Sequence, residues 1–198
     1  MRSRRIAGLV LLAIGGPILS FAGGRYAMGA VAQDQARRTW DEAKAHSALN
    51  EVQALALRDG LGAIVDGAPV ARLVIPKIGL DEIVLEGVGD NSMNGGPGHF
   101  PGSSLPGDSG NAIISAHRDR HFRHFDQLGI GDSVHTESGS HNATWVIVSR
   151  RVVDKDAPVL FPTKEATLTL TTCWPIRYLG AAPDRLILVA KPAAGGPN

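Results

Sequence analysis

The chain has 198 residues, of which 43% are hydrophobic and 20% charged, and its formal net charge is +1. This composition is typical of one globular domain with appendages, and it lacks the basic excess expected of a nucleic-acid-binding protein. The 24 glycines and 12 prolines favour many turns and short strands over long helices. The single cysteine, Cys173, excludes an internal disulfide.

A basic and then apolar segment opens the chain. Three arginines within residues 1–5 precede residues 6–24, which are 19 residues without a charge. This length can just span a bilayer as a helix. The basic flank predicts a cytoplasmic N-terminus at residues 1–5, a transmembrane signal anchor at residues 6–24 and an extracytoplasmic remainder. A cleavable signal peptide ending at Ala30-Val31-Ala32 is the alternative, and it would also export the domain.

The next segment is predicted to be helical. Residues 34–59 contain no Gly or Pro, and a partial helical stripe of apolar residues runs from Trp40 to Ala56. Gly60 follows as a stop signal. We therefore predict an amphipathic helix within a juxtamembrane linker, residues 25–68, that acts as a spacer or packs loosely and makes no catalytic contact.

After Gly67 the pattern changes to short apolar or β-branched runs separated by turn residues. No helical pattern alternates with them, which favours a single antiparallel barrel or sandwich over a doubly wound α/β fold. Residues 87–110 hold eight Gly and three Pro and are expected to form an ordered loop with room for a short helix at most. The predicted strands are residues 70–75, 82–85, 111–116, 144–153, 166–173 and 185–190, and residues 193–198 are predicted to be a disordered tail.

Cys173 ends the predicted strand 166–173. On a strand, the leucines of this run and Thr172 share one face, whereas Cys173 shares the other, more polar face with three threonines. We expect the leucines to face the core, which leaves the thiol at a strand end beside the loop 174–184. This position favours a reactive thiol over the alternative of a buried, inert cysteine.

A cysteine nucleophile needs a base or a cation nearby, because a free thiol titrates near about pH 8.5. His117 follows the predicted strand 111–116, so it can meet Cys173 on one rim of a barrel although 56 residues separate them. Arg185 opens the strand after Cys173 and returns to the same rim if the two strands are antiparallel neighbours. There its positive charge would stabilise an oxyanion. Arg177, in the intervening loop, is the alternative.

Five motifs, in their order along the chain, resemble the sortase family over residues 70–191. Residues 71–80 resemble the opening strand and turn of sortases, residues 96–107 the loop before their catalytic histidine, residues 110–119 their histidine motif, residues 169–173 (TLTTC) their cysteine motif, and residues 183–185 (PDR) their arginine position. The sequence around Cys-Trp-Pro and Ala-Pro-Asp-Arg is most similar to class D-like sortases, including those of Gram-negative bacteria.

The resemblance implies an all-β fold, a closed eight-stranded barrel over residues 69–192 with short helices in its loops. It implies a cysteine transpeptidase anchored in the bacterial cytoplasmic membrane. We predict no cofactor, and the sequence offers no sure calcium site. Such an enzyme cleaves a C-terminal sorting signal of exported proteins and transfers the acyl group to an amine of a peptidoglycan precursor or a protein lysine. Cys173 would be the nucleophile, His117 the general acid and base, and Arg185 the residue that positions the carbonyl or stabilises the oxyanion.

Residues beside the catalytic ones are further candidates. Thr171, Thr172 and Trp174 flank the nucleophile and are predicted to contribute to substrate binding; Trp174 stands where Tyr is common in the family. Asp119 is near His117 in sequence, but no carboxylate is evident as the third member of a triad. We therefore expect a mainly neutral thiol and imidazole in the resting enzyme, titrating as a coupled pair.

Three other functions stay open from the residues alone. His117, His121 and His124 have a spacing that would place them on one face of a helix, as in a metal hydrolase, although His117 follows a strand-like run. A barrel that binds peptides without cleaving them is the second alternative. A protease that lets water resolve the thioester is the third.

Overall fold

The computed structural model describes residues 2–45, 64–139, 141–158 and 161–193. In this part of the chain, eight strands close into a barrel in the order β1-β2-β3-β4-β7-β8-β6-β5, and two α-helices accompany them. The elements are α1 (Arg2–Ala45), β1 (Pro69–Ile75), β2 (Leu80–Glu86), α2 (Asp90–Gly95), β3 (Gly98–His99), β4 (Asn111–Ser115), β5 (Ser133–Ser138), β6 (His141–Asp154), β7 (Thr167–Trp174) and β8 (Asp184–Pro192). The predicted eight-stranded barrel is confirmed.

Inward-facing aliphatic and aromatic side chains fill the barrel. Leu73, Ile147 and Leu170 are fully buried, and burying one such side chain contributes about 1.5–3 kcal/mol. Trp145 is also buried, and its indole N–H donates to Thr136 Oγ1 at 2.8 Å, so the largest ring in the core keeps a hydrogen-bond partner. This packing holds the strands whose ends carry the candidate site.

Two of the eight strands were not predicted. The six predicted strands are present with ends that differ by at most three residues, whereas β3 lies in the segment expected to form a loop and β5 in a segment without a prediction. β3 has only two residues and lies in the glycine-rich segment. β5 alternates in burial, but two of its three buried residues, Thr136 and Ser138, are polar, so the hydrophobic signal for a strand is weak.

The expectation of a purely antiparallel barrel is wrong at two pairings. β2 pairs with β3, and β4 pairs with β7, in parallel. Parallel neighbours emerge at the same edge of a sheet, whereas antiparallel neighbours emerge at opposite edges. The chain therefore leaves β4 and β7 at one rim of the barrel, which is the arrangement that positions the site.

Helix α1 packs on the barrel in the part that the structure describes, so of the two predicted arrangements it does not adopt that of a free spacer. The Gln33 side chain donates to Ile83 O and Gly95 O, both at 2.8 Å, and accepts from Ile83 N–H at 2.9 Å. Ala36 packs with Ile83 and Leu85 in a second apolar cluster. These contacts fix α1 against β2 and α2; the rest of the predicted helix, residues 46–59, lies outside the described residues.

The signal anchor predicted at residues 6–24 falls within α1. No helix in the described ranges combines the length and the apolar character needed to cross a membrane. The anchor therefore stays a prediction. The predicted disordered tail lies, from residue 194 on, outside the described residues.

Candidate active site

His117 and Cys173 lie at the same rim because they come at the ends of the parallel strands β4 and β7. The register pairs Ser115 with Thr171, and His117 and Cys173 each come two residues later, so both lie at the same end of the strand pair. The Ala116 N–H donates to Thr171 O at 3.3 Å, which continues the pairing beyond β4. The pairing of β4 with β7 thus brings two residues that are far apart in the sequence to the same rim.

Arg185 lies directly opposite Cys173 on the antiparallel neighbour β8. Side chains of directly opposed residues point to the same face of a sheet, so the guanidinium and the thiol share one face. The register meets the condition under which Arg185 was expected to return to the rim. Arg177 is exposed in the connection between β7 and β8 and has no such strand partner.

Cys173 is exposed, but the residues before it on the same face of β7 are not. Thr167, Thr169 and Thr171, which form the more polar face, are buried. Thr169 Oγ1 donates to Asn111 Oδ1 at 2.8 Å, whereas Thr171 Oγ1 is buried without a hydrogen-bond partner among the described residues. A buried hydroxyl without a partner costs free energy, so Thr171 offers a donor beside the nucleophile.

Thr172 and Trp174 lie on the opposite face of β7 from Cys173. Thr172 Oγ1 donates to Ala116 O at 2.7 Å, so its hydroxyl is already occupied. The Arg150 guanidinium lies 5.2 Å from the centre of the Trp174 ring. The sequence offered no signal for the Thr172 contact, which ties the cysteine strand to the residue before His117.

The electrostatics at His117 favour a neutral ring. Half-burial holds the pKa of the His117 imidazole below its ordinary value of 6.5; the Asp119 carboxylate opposes this shift and the Arg120 guanidinium adds to it. Among the described residues, no carboxylate hydrogen-bonds the His117 ring. A histidine of this kind is neutral at pH 7 and can accept a proton from a nearby thiol during attack.

Comparisons with known proteins decide the family. Residues 73–193 match the family model of the sortase domain. The chain belongs to the sortase family. Sortase D of Bacillus subtilis (strain 168) is 35% identical over 121 residues, which are 60% of this chain and 61% of that relative. The chain therefore matches less than two thirds of the length of this curated relative.

Solved sortase structures are similar to the whole barrel. A Clostridium perfringens Sortase D5 transpeptidase has a TM-score of 0.71 and 25% identity, covering 83% of this chain and 99% of that one. The catalytic domain of B. anthracis SrtD has a TM-score of 0.56 and 33% identity, covering 65% of this chain and 90% of that one. The predicted resemblance to class D-like sortases is confirmed.

The three histidines that suggested a metal hydrolase do not share a helical face in this sortase. After β4 the chain forms turns instead of a helix, and His121 Nδ1 lies 2.5 Å from Glu82 Oε2. In the described ranges, no group of three His, Cys, Asp or Glu side chains could hold a metal ion. The helical spacing of these histidines in the sequence therefore does not produce a metal site among the described residues.

The sortase domain also brings together a serine, a histidine and a carboxylate around β3. His99 Nδ1 lies 2.6 Å from Glu86 Oε2, and His99 Nε2 lies 2.9 Å from Ser103 Oγ and 3.0 Å from Ser104 O. Because a carbonyl oxygen only accepts, Nε2 carries a proton and is no base for Ser103, whose hydroxyl donates to Phe100 O. This set clamps the glycine-rich loop and is not a second nucleophilic site.

Proposed function

We propose that this chain is a cysteine transpeptidase whose catalytic residues are Cys173, His117 and Arg185. The observation that supports the proposal is the position of His117 and Cys173 at the same end of the parallel neighbours β4 and β7, with Arg185 paired opposite Cys173. The likeness to the Clostridium perfringens Sortase D5 transpeptidase supports the reaction class. Nucleophile, base and cation then share one open rim, as acyl transfer requires.

The reaction balances with these three side chains. Cys173 Sγ attacks a backbone carbonyl carbon of the substrate while its proton passes to His117, and Arg185 stabilises the oxyanion that forms. His117 returns the proton to the leaving amide nitrogen, the C–N bond breaks, and a thioester remains. An amine attacks the thioester, its proton passes to His117 and on to the sulfur, and Cys173 leaves as the thiol.

The substrates we propose are exported proteins with a C-terminal sorting signal. The acceptor is an amine of a peptidoglycan precursor or of a protein lysine, which gives surface-protein anchoring or pilin-type linkage. Thr171 lies one pleat before Cys173 on the same face, and its hydroxyl lacks a partner among the described residues. We assign this hydroxyl to a main-chain carbonyl of the bound signal, which it reaches once binding displaces the atoms that bury it, whereas Thr172 and Trp174 act from the other face as positioning residues.

If the Thr171 hydroxyl binds the signal, its removal should weaken substrate binding without lowering the stability of the free protein. Thr171→Val removes no hydrogen bond of the free protein, so the melting temperature should be unchanged or higher. KM for a cleaved sorting peptide should rise about tenfold, the effect of one lost hydrogen bond. An unchanged KM would show that the hydroxyl does not contact the signal.

For the cellular location we propose a cell-envelope enzyme, anchored once in the cytoplasmic membrane by residues 6–24, with the barrel outside. The uncharged stretch behind three arginines supports this orientation. Cleavage after Ala32 would cut α1 directly before Gln33, whose side chain docks the helix on the barrel. Recovery of mature protein from cells with Gln33 as its first residue would contradict the anchor.

The decisive experiment is mass spectrometry of Cys173 after incubation with a library of sorting-signal peptides. We expect an acyl adduct on Cys173 that a primary amine discharges to a new amide, and no adduct in Cys173→Ala. A product formed only with water would indicate a protease, and bound peptide without any adduct would indicate a binding module. Activity that a chelator abolishes would return the metal hydrolase to consideration.

A further inference from the structure

Arg118, the residue after His117, reaches across the rim to the connection between β7 and β8. Its guanidinium donates to three main-chain carbonyls, Pro175 O at 3.0 Å, Tyr178 O at 3.1 Å and Gly180 O at 2.7 Å. It also lies 5.7 Å from the centre of the Tyr178 ring. One side chain therefore fastens a segment that is 57 to 62 residues away in sequence.

The tip of this connection has little other support. Ile176 is buried at its start, but Leu179 is 98% exposed and Tyr178 is 48% exposed. An exposed apolar tip gains almost nothing from core packing, so polar contacts must hold it. The three carbonyls that Arg118 binds lie on both sides of this tip, in the stretch between Cys173 and Arg185.

We propose that Arg118 is a positioning residue of the transpeptidase, which fixes the connection at residues 175–180 beside Cys173 and thereby sets the wall against which the substrate lies. The inference rests on the proposed function for its effect on turnover. Because Arg118 follows His117 directly, the same bonds also restrain the loop that carries the general base. Arg118 touches neither the thiol nor the substrate carbonyl in this role.

The shape of the side chain matters as well as its charge. A guanidinium presents five N–H donors in a planar fork, which suits several carbonyls at once and a tyrosine ring. A lysine ammonium at this position keeps the charge but satisfies at most part of this set. Lysine should therefore restore the contact only partly, which separates positioning from a general electrostatic effect.

The first test follows the connection itself and needs no substrate. Hydrogen exchange of residues 175–183 should be at least about tenfold faster in Arg118→Ala, the effect of losing charge-assisted hydrogen bonds. Arg118→Lys should be intermediate. Arg177→Ala, which removes an exposed charge from the same connection, is the matched control and should exchange as the wild type does. Equal exchange in Arg118→Ala and the wild type would overturn the proposal.

The second test separates binding from chemistry. Arg118→Ala should lower the rate of thioester formation with a library peptide about 30-fold, mainly through KM, since misplaced contacts in a site cost tens to hundreds in rate. Alkylation of Cys173 by iodoacetamide, which needs no wall, should change less than about twofold. Full turnover in Arg118→Lys would overturn the positioning role, because it would show that charge alone suffices.

The two tests also distinguish this inference from the proposed function. If the wild type forms no thioester with any peptide, the transpeptidase proposal fails, but the exchange experiment still decides whether Arg118 holds the connection. If the wild type is active and Arg118→Ala matches it in KM, the positioning role fails alone. Tyr178→Ala leaves the carbonyl bonds in place and should cause a smaller change than Arg118→Ala in both tests.

Discussion

The hydrogen bond from Thr172 Oγ1 to Ala116 O is the shortest side-chain link between the two strands that carry the candidate catalytic pair. Thr172 is 2% exposed, so Thr172→Val keeps the shape of the side chain but leaves a buried carbonyl without its donor. This should cost about 1–3 kcal/mol of stability. For a domain of this size, the melting temperature should fall by about 5 °C.

The effect on catalysis should exceed the effect on stability. Ala116 directly precedes His117, so a shift of this carbonyl moves the base relative to Cys173. A displacement of about 1 Å in an active site costs about a hundredfold in rate, and we expect kcat/KM to fall about ten- to a hundredfold. Thioester formation, measured by stopped reactions and mass spectrometry, is the assay.

Thr169→Val is the matched control on the same strand. Thr169 is equally buried, and its hydroxyl also makes one hydrogen bond, at 2.8 Å to Asn111 Oδ1, but at the start of β4 and far from the rim. It should lose similar stability and keep its turnover, whereas Thr172→Ser should recover both. Full turnover in Thr172→Val, at the expected loss of stability, would refute a positioning role for this bond.

Three further predictions follow from the site and from helix α1. Arg185→Ala should lower turnover about a hundredfold or more, the effect of removing one oxyanion donor, while Arg177→Ala should cost much less; the reverse ranking in peptide-cleavage kinetics would contradict the assignment. The pKa of His117, followed by NMR titration, should lie below 6.5, and Asp119→Asn should lower it further because that carboxylate favours the imidazolium; a rise in Asp119→Asn would be the wrong sign. Gln33→Ala removes three hydrogen bonds of α1 and should cost about 1–3 kcal/mol, seen by calorimetry, whereas an unchanged melting curve would mean that the helix docks without them.

Much of the barrel could be predicted because leucine, isoleucine and valine recur on its inner faces. The strand ends could also be predicted, since Cys173 and His117 each come at the end of a strand-like run and precede turn residues. Strand alternation placed Thr172 and Cys173 on opposite faces correctly. Alternation says nothing about what covers the outer face, so the burial of Thr171 could not be predicted.

The features that could not be predicted are contacts between distant residues. Periodicity assigns faces to a strand but not its neighbour or direction, so the parallel pairing of β4 with β7 had no local signal. Gln33 docks α1 through backbone atoms of Ile83 and Gly95, which any sequence would present. Arg118 likewise binds main-chain carbonyls. Every residue has such a carbonyl, so the sequence does not reveal which ones are bound.

The parallel pairing of β4 with β7 bears on how this chain tolerates change in length. The pairing of Ser115 with Thr171 places His117 and Cys173 at the same end of the two strands, whatever the length of the chain between them. Insertions at the β5–β6 turn should thus lengthen the chain without moving either group. A slip of one residue in β7 would be different, because it would turn the thiol inward and present Thr172 at the rim instead. Changes in loop length should therefore be tolerated in this protein, whereas changes in the register of β7 should disrupt the site.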